Sequence, residues 1–154
     1  MDTNEILREQ LSRLLERSQA HIDFGEAVEA IPAEARGTRP AGLAHSAWEL
    51  VEHIRLAQRD ILEFCRDAPY ADRNWPGDYW PATPEPPSRN AWEESVEAMR
   101  RDREELQRLM SDPGVDLFAI VPHGTDQTYL REALLAADHN AYHVGQLTVV
   151  RRLL

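Results

Sequence analysis

The sequence predicts an all-α protein, a four-helix bundle with long crossover connections. Three observations carry this expectation. Apolar residues recur at intervals of three and four along four separate segments. Capping-box spacings stand at the heads of three of these segments. Proline- and glycine-rich stretches, two of them long enough to span a bundle, divide one segment from the next. No internal repeat links the segments, and the 154 residues read as a single domain, 1–154.

The first helix is expected from Asp2, with Glu5 three residues on to complete a capping box. Ile6, Leu7, Leu11, Leu14 and Leu15 then recur at helical spacing through about Ser18. Phe24 to Ile31 predicts a short additional helical piece before Pro32, and Pro32, Gly37, Pro40 and Gly42 mark a connector. The second long helix has the clearest start. Ser46 and Glu49 form a capping box ahead of Trp48, Leu50, Val51, Ile54, Ala57, Ile61, Leu62 and Phe64. Asp67–Ala68–Pro69 ends it. Six of the chain's ten prolines fall between Pro69 and Pro87, with Tyr70, Trp75, Tyr79 and Trp80. Such a stretch is neither helix nor central strand, and it is too aromatic for a free linker. It reads as an ordered loop over the helices: a wall of a pocket, a surface against a second subunit, or simple packing on its own bundle.

The third long helix is expected from a cap at Ser88 or Asn90 to Asp112, where Pro113–Gly114 stops it. Its apolar stripe is Trp92, Val96, Met99, Leu106, Leu109 and Met110. Leu117 to Val121 is short and compatible with extended chain. A turn at Pro122–His123–Gly124 leads to the last helix, roughly Gln127 to Leu153.

Composition excludes several functions. Seventeen basic residues, all Arg, against twenty-seven acidic ones give a net charge of −10. With no basic cluster, the chain lacks the means to neutralise a phosphate backbone, so no nucleic acid is expected as a partner. It also lacks the polybasic stripe of an anionic-membrane binder, and no apolar run is long enough to span a bilayer. Asp2, Glu5 and Glu9 stand where a signal peptide is basic or apolar, so the chain reads as soluble and cytoplasmic. The lone Cys65 excludes an intrachain disulfide and a multi-cysteine zinc site. Placed at a helix C-terminus, it is a poor nucleophile.

The six histidines carry the chemical signal. His139 and His143 are four apart on the last helix, which puts both rings on one face, one turn apart. That face continues through Leu135, Tyr142, Gln146 and Val150 and is expected to look inward. His53 lies in the apolar stripe of the second long helix, between Leu50 and Ala57. Any one of these alone reads more readily as a hydrogen-bonded core residue than as a ligand. Together, three core-facing imidazoles on two helices need partners, and one shared divalent ion satisfies all three. Glu49, a turn before His53, is placed to orient that ring or act as a catalytic base, and equally to cap its helix. Gln146 and Tyr142 follow the metal face as substrate-pocket or packing residues. His123 either overhangs the pocket or shapes its turn. Asp138 adjoins His139 but points about 100° away round the helix. His45 reads as structural and His21 as a surface residue.

The segments HSAWELVEHIRLAQRDILEF (45–64) and PHGTDQTYLREALLAADHNAYHVGQL (122–147) resemble the DinB-like superfamily, which includes the YfiT-type metal-dependent hydrolases. WELVEHI and DHNAYHVGQL are the most specific blocks, and HIDFGEAVEAIP and NWPGDYWP extend the likeness over nearly the whole chain. The resemblance implies a four-helix bundle with a crossed connection order, often homodimeric. It also implies a divalent metal held by three histidines, which map onto His53, His139 and His143.

Three imidazole ligands leave coordination positions open, the arrangement of catalytic sites. Zinc is the first expectation for the single divalent ion, and nickel, iron or manganese are compatible with imidazole. The leading functional expectation is a hydrolase in which metal-activated water attacks a small-molecule substrate. The alternative is a thiol-dependent S-transferase of the bacillithiol or mycothiol type, with a low-molecular-weight thiol as nucleophile and Arg residues holding its carboxylates. The third is a non-catalytic, metal-stabilised stress or interaction protein.

Overall fold

The capping signals seed helices close to where the sequence places them. The computed structural model describes residues 2–16 and 19–154. Among these, α1 spans Thr3–Glu16, α2 Phe24–Glu29, α3 Ala47–Phe64, α4 Ala91–Ser111 and α5 Tyr129–Leu153, with no β-strand. The described residues are thus all-helical, with four long α-helices, one short one and two 3-10 turns at Ala33–Ala35 and Gly77–Tyr79. Ser18, the expected end of the first helix, lies outside the described residues.

At the head of α1, Asp2 and Glu5 exchange backbone-to-carboxylate hydrogen bonds of 2.7 and 2.9 Å. Asp23 and Glu26 do the same for α2. At α3, Ser46 Oγ accepts from the Glu49 amide at 3.2 Å and the Glu49 carboxylate accepts from the Ser46 amide at 2.8 Å. The Ser46 hydroxyl also donates to the Pro84 carbonyl, so one buried side chain both starts α3 and ties the proline-rich loop to it. Ser46→Ala is expected to lower the unfolding free energy by about 1–2 kcal/mol, measured by urea denaturation.

α4 starts directly after Asn90, as expected, but one cap and one other boundary differ. Neither Ser88 nor Asn90 caps α4 through its side chain. Asn90 already has helical dihedrals (φ −95°, ψ −11°), whereas a capping side chain needs extended backbone to fold back onto the first amides. The last helix begins at Tyr129 rather than Gln127, because residues 119–129 first form a small antiparallel pairing. Ile120 bridges Thr128, and the Val121 amide donates to the Gln127 carbonyl at 2.9 Å. Thr128, in extended conformation, then caps α5 by accepting from the Arg131 amide.

α3 packs on α4 and α5, and α1 packs on the same two helices, so α1 and α3 lie across the diagonal. One core cluster joins α2 to the first halves of α3 and α4 and the C-terminal half of α5, through Phe24, Val28, Trp48, Ile54, Met99 and Leu147. The other joins α1 to the far halves of α3 and α4 and the start of α5, through Leu11, Leu15, Leu62, Leu106, Met110 and Ala133. Ile6 and Leu14, expected in the α1 stripe, are exposed. Arg8 is buried instead, and its guanidinium closes the end of α4 by donating to the carbonyls of Met110 and Val115. No helix among the described residues is long and apolar enough to cross a membrane.

Candidate metal centre

α3 and α5 bring three imidazoles to one point. His53 stands on the buried stripe of α3 between Leu50 and Ala57 and is 2% exposed. His139 and His143 project from successive turns of α5 toward it. The Nε2 atom of His53 lies 3.1 Å from Nε2 of His143 and 3.1 Å from Nε2 of His139. All three ligand atoms fall within 4.8 Å of one another. Nitrogens sharing one ion at about 2.0–2.1 Å stand roughly 2.8–3.4 Å apart between octahedral and tetrahedral angles, so the two 3.1 Å spacings suit a single ion.

The far side of each ring decides what the near side can do. His53 Nδ1–H donates to the Tyr79 carbonyl at 2.8 Å, and His143 Nδ1–H donates to Gln146 Oε1 at 2.7 Å. A neutral imidazole carries one N–H, so with the proton fixed on Nδ1 both Nε2 atoms present bare lone pairs to each other. Two lone pairs at 3.1 Å repel unless a cation lies between them. Burial holds the rings neutral: it pushes His139 and His143 down to about 4, with the neighbouring imidazoles adding to the effect. His53 is lowered by the same burial, opposed in part by the Tyr79 carbonyl. The residues present therefore fit a divalent metal. Outer partners of this kind typically contribute 10–100-fold to metal affinity. Gln146→Leu, which removes the acceptor at similar size, is accordingly expected to weaken zinc binding about 10- to 100-fold in a chelator competition.

The aromatic loop forms a wall of this centre. Trp80 stacks on His53 at 3.9 Å, with only 3° between the planes, and its other neighbour is His45, stacked at 4.0 Å. The loop is fastened further along α3, where Tyr70 and Tyr79 both donate their hydroxyls to Asp60, at 3.0 and 2.6 Å. Trp75 at its tip is 74% exposed. The loop thus packs on its own helices and reaches the histidine cluster with Tyr79 and Trp80.

Other residues singled out by the sequence lie at varied distances from the centre. Gln146 touches His143 directly. Tyr142 meets the His143 ring edge-on at 4.9 Å, but it is 63% exposed and does not look inward as its stripe suggested. Glu49 is not brought to the cluster. Its carboxylate is taken up by the cap and by a two-pronged contact from Arg39, which keeps its pKa low despite the cost of burial. His123 is not brought there either. It stacks on Tyr70, and its Nε2 faces the Arg66 and Ala68 carbonyls beyond the C-terminal end of α3. Asp138 and His21 are exposed, and Cys65 is buried, its thiol pushed up to about 12 by that burial. Sequence reasoning missed the part of His45, whose ring lies on Trp80. Nothing in its spacing reveals this, because Trp80 is thirty-five residues away.

An all-helical chain with three converging imidazoles from two helices belongs to the class of helical proteins able to hold a metal between them. The sequence profile of the DinB superfamily matches residues 14–147. The chain belongs to the DinB superfamily, and the match includes all three histidines. Compared with curated proteins and with solved structures, the chain gives no match.

Proposed function

We propose that this protein is a metal-dependent hydrolase acting on a small molecule, with His53, His139 and His143 as ligands of one divalent ion, zinc first among the candidates. The observation that carries the reading is the pair of Nδ1–H donations, to Tyr79 and Gln146, that leaves bare Nε2 atoms 3.1 Å apart. If bound by these three neutral imidazoles, a divalent ion would keep its full charge and would supply Lewis-acid chemistry for water and a substrate oxygen.

The chain supplies the rest. The Tyr79 carbonyl and Gln146 fix the orientation of two ligands, while Trp80 covers the flat face of His53 and limits access of water from that side. Tyr142, exposed at the edge of the His143 ring, is positioned to meet a substrate arriving from solvent. Glu49 is occupied by Arg39, so a carboxylate base is not part of the proposal.

The test is turnover of ester, amide and lactone panels by zinc-loaded and chelator-treated protein, with and without added bacillithiol, mycothiol or glutathione. Metal-dependent hydrolysis without thiol is the expected result. Turnover only with thiol would replace this reading by an S-transferase, and none under any condition would favour a non-catalytic metal protein.

A further inference from the structure

The carbonyl that accepts the His53 proton belongs to a loop, and it fixes the ring only as firmly as the loop itself is fixed. Asp60 does much of that fixing. It stands seven residues after His53 on α3, two turns on and about 20° round the helix, so the two share a face about 10 Å apart along the axis. Its carboxylate gathers three residues of the loop. The Tyr70 hydroxyl donates to Oδ1 at 3.0 Å, the Arg73 guanidinium lies 3.4 Å from the same oxygen, and the Tyr79 hydroxyl donates to Oδ2 at 2.6 Å. Tyr79 therefore spans the two α3 residues, its phenol on Asp60 and its carbonyl accepting from His53 Nδ1 at 2.8 Å. The next residue, Trp80, lies flat on the His53 ring. Burial, and then the Asp60 carboxylate, raise both phenols above their ordinary 10, so both remain donors at neutral pH.

We propose that Asp60 is a positioning residue of the metal centre, acting through Tyr79 on the orientation and tautomer of His53. This role rests on the metal-dependent reading above and specifies how one ligand is kept ready. A neutral imidazole carries its proton on either nitrogen, and the hydrogen bond made by one nitrogen selects which. With the Tyr79 carbonyl held in place, the proton stays on Nδ1 and Nε2 offers its lone pair to the cluster. If the carbonyl drifts, the form with the proton on Nε2 competes, and that proton occupies the ligand position. Each phenol has its own carboxylate oxygen, so the two tethers are separable, and the one through Tyr79 continues directly to His53.

The experiment compares Tyr79→Phe, Tyr70→Phe and Asp60→Ala with the wild type. Tyr79→Phe removes the hydroxyl and keeps the ring and the carbonyl. Tyr70→Phe removes the other tether to the same carboxylate, and Asp60→Ala removes both. Imidazole ¹⁵N NMR of metal-free protein reads which nitrogen of His53 carries the proton, and chelator competition reads zinc affinity. Circular dichroism checks that the variants remain helical. In the wild type and Tyr70→Phe the proton is expected on Nδ1, with similar zinc affinity. In Tyr79→Phe and Asp60→Ala the Nε2–H form should appear, and zinc affinity should fall about 10-fold, the lower end of what an outer partner contributes, because the carbonyl itself remains. An unmoved proton or an unchanged zinc affinity in these two variants would overturn the proposal. So would an equal loss in all three variants, which would mark Asp60 as a general staple of the loop. A wild type that binds no zinc, with the His53 proton moving as expected in the variants, would overturn the metal reading and leave the link from Asp60 to His53 standing.

Discussion

His143→Ala is expected to abolish tight divalent-metal binding while leaving a helical protein. His143 supplies one of three nitrogens and faces another at 3.1 Å. Its loss leaves two ligands, His53 and His139, on different helices. Losing an outer partner alone typically costs 10–100-fold in affinity, and losing a ligand should exceed that. The fold is expected to survive because alanine suits a helix interior and the surrounding core, Val144, Leu147 and Ile54, is aliphatic without it. The measurement is zinc affinity by chelator competition, with helicity read from circular dichroism. A variant that keeps wild-type affinity would remove His143 from the site.

The metal-free protein should lose stability on mild acidification. His139 and His143 fall from an ordinary 6.5 to about 4 in the folded chain, chiefly because burial penalises the imidazolium. The unfolded chain therefore takes up protons in a range where the folded chain does not. Stability is full above about pH 6.5 and declines as pH falls toward 4, below which both states are protonated and the decline from these rings ends. A tenfold difference in proton affinity between the two states is worth about 1.4 kcal/mol, and because each ring's shift includes repulsion from its neighbours, the two contributions do not simply add. Urea midpoints of chelator-treated protein at pH 7.5, 6, 5 and 4 check this. His139→Gln should flatten the curve by removing one titrating ring, and an unchanged midpoint between pH 7.5 and 5 would contradict the account. Carboxylates such as Glu49 and Glu52, which sit below their ordinary 4.5, act in a lower range.

What the sequence reveals here is what local rules govern. Ser46 and Glu49 are three apart and a cap needs only that spacing and extended backbone, so α3 begins where it should. His139 and His143 share a face because four residues make one turn. His53 is recognisable as core-facing from Leu50, Ile54 and Ala57 around it. Contacts between segments distant in sequence are a different matter. That Tyr79 holds His53, that Trp80 lies between His45 and His53, and that Arg39 takes up Glu49 all depend on the path of loops no periodicity describes. Asn90 looks like a cap by residue type and fails because its backbone is already helical. Tyr142 fails in another way. One position before His143, it lies about 100° round the helix, and that rotation carries it from the buried face into solvent, 63% exposed. Arg8 could not be placed in a core from an otherwise amphipathic repeat, because what it satisfies are backbone carbonyls at the end of another helix.

On the proposed reading, three imidazoles and no other side chains hold one divalent ion. X-ray absorption of the untagged protein loaded with one equivalent of zinc tests it most directly. Three imidazole nitrogens at about 2.0–2.1 Å are expected, the remaining coordination filled by light solvent atoms, with collapse of that signature in His143→Ala. A spectrum with a sulfur neighbour, with fewer than three imidazoles, or unchanged in the variant would contradict it.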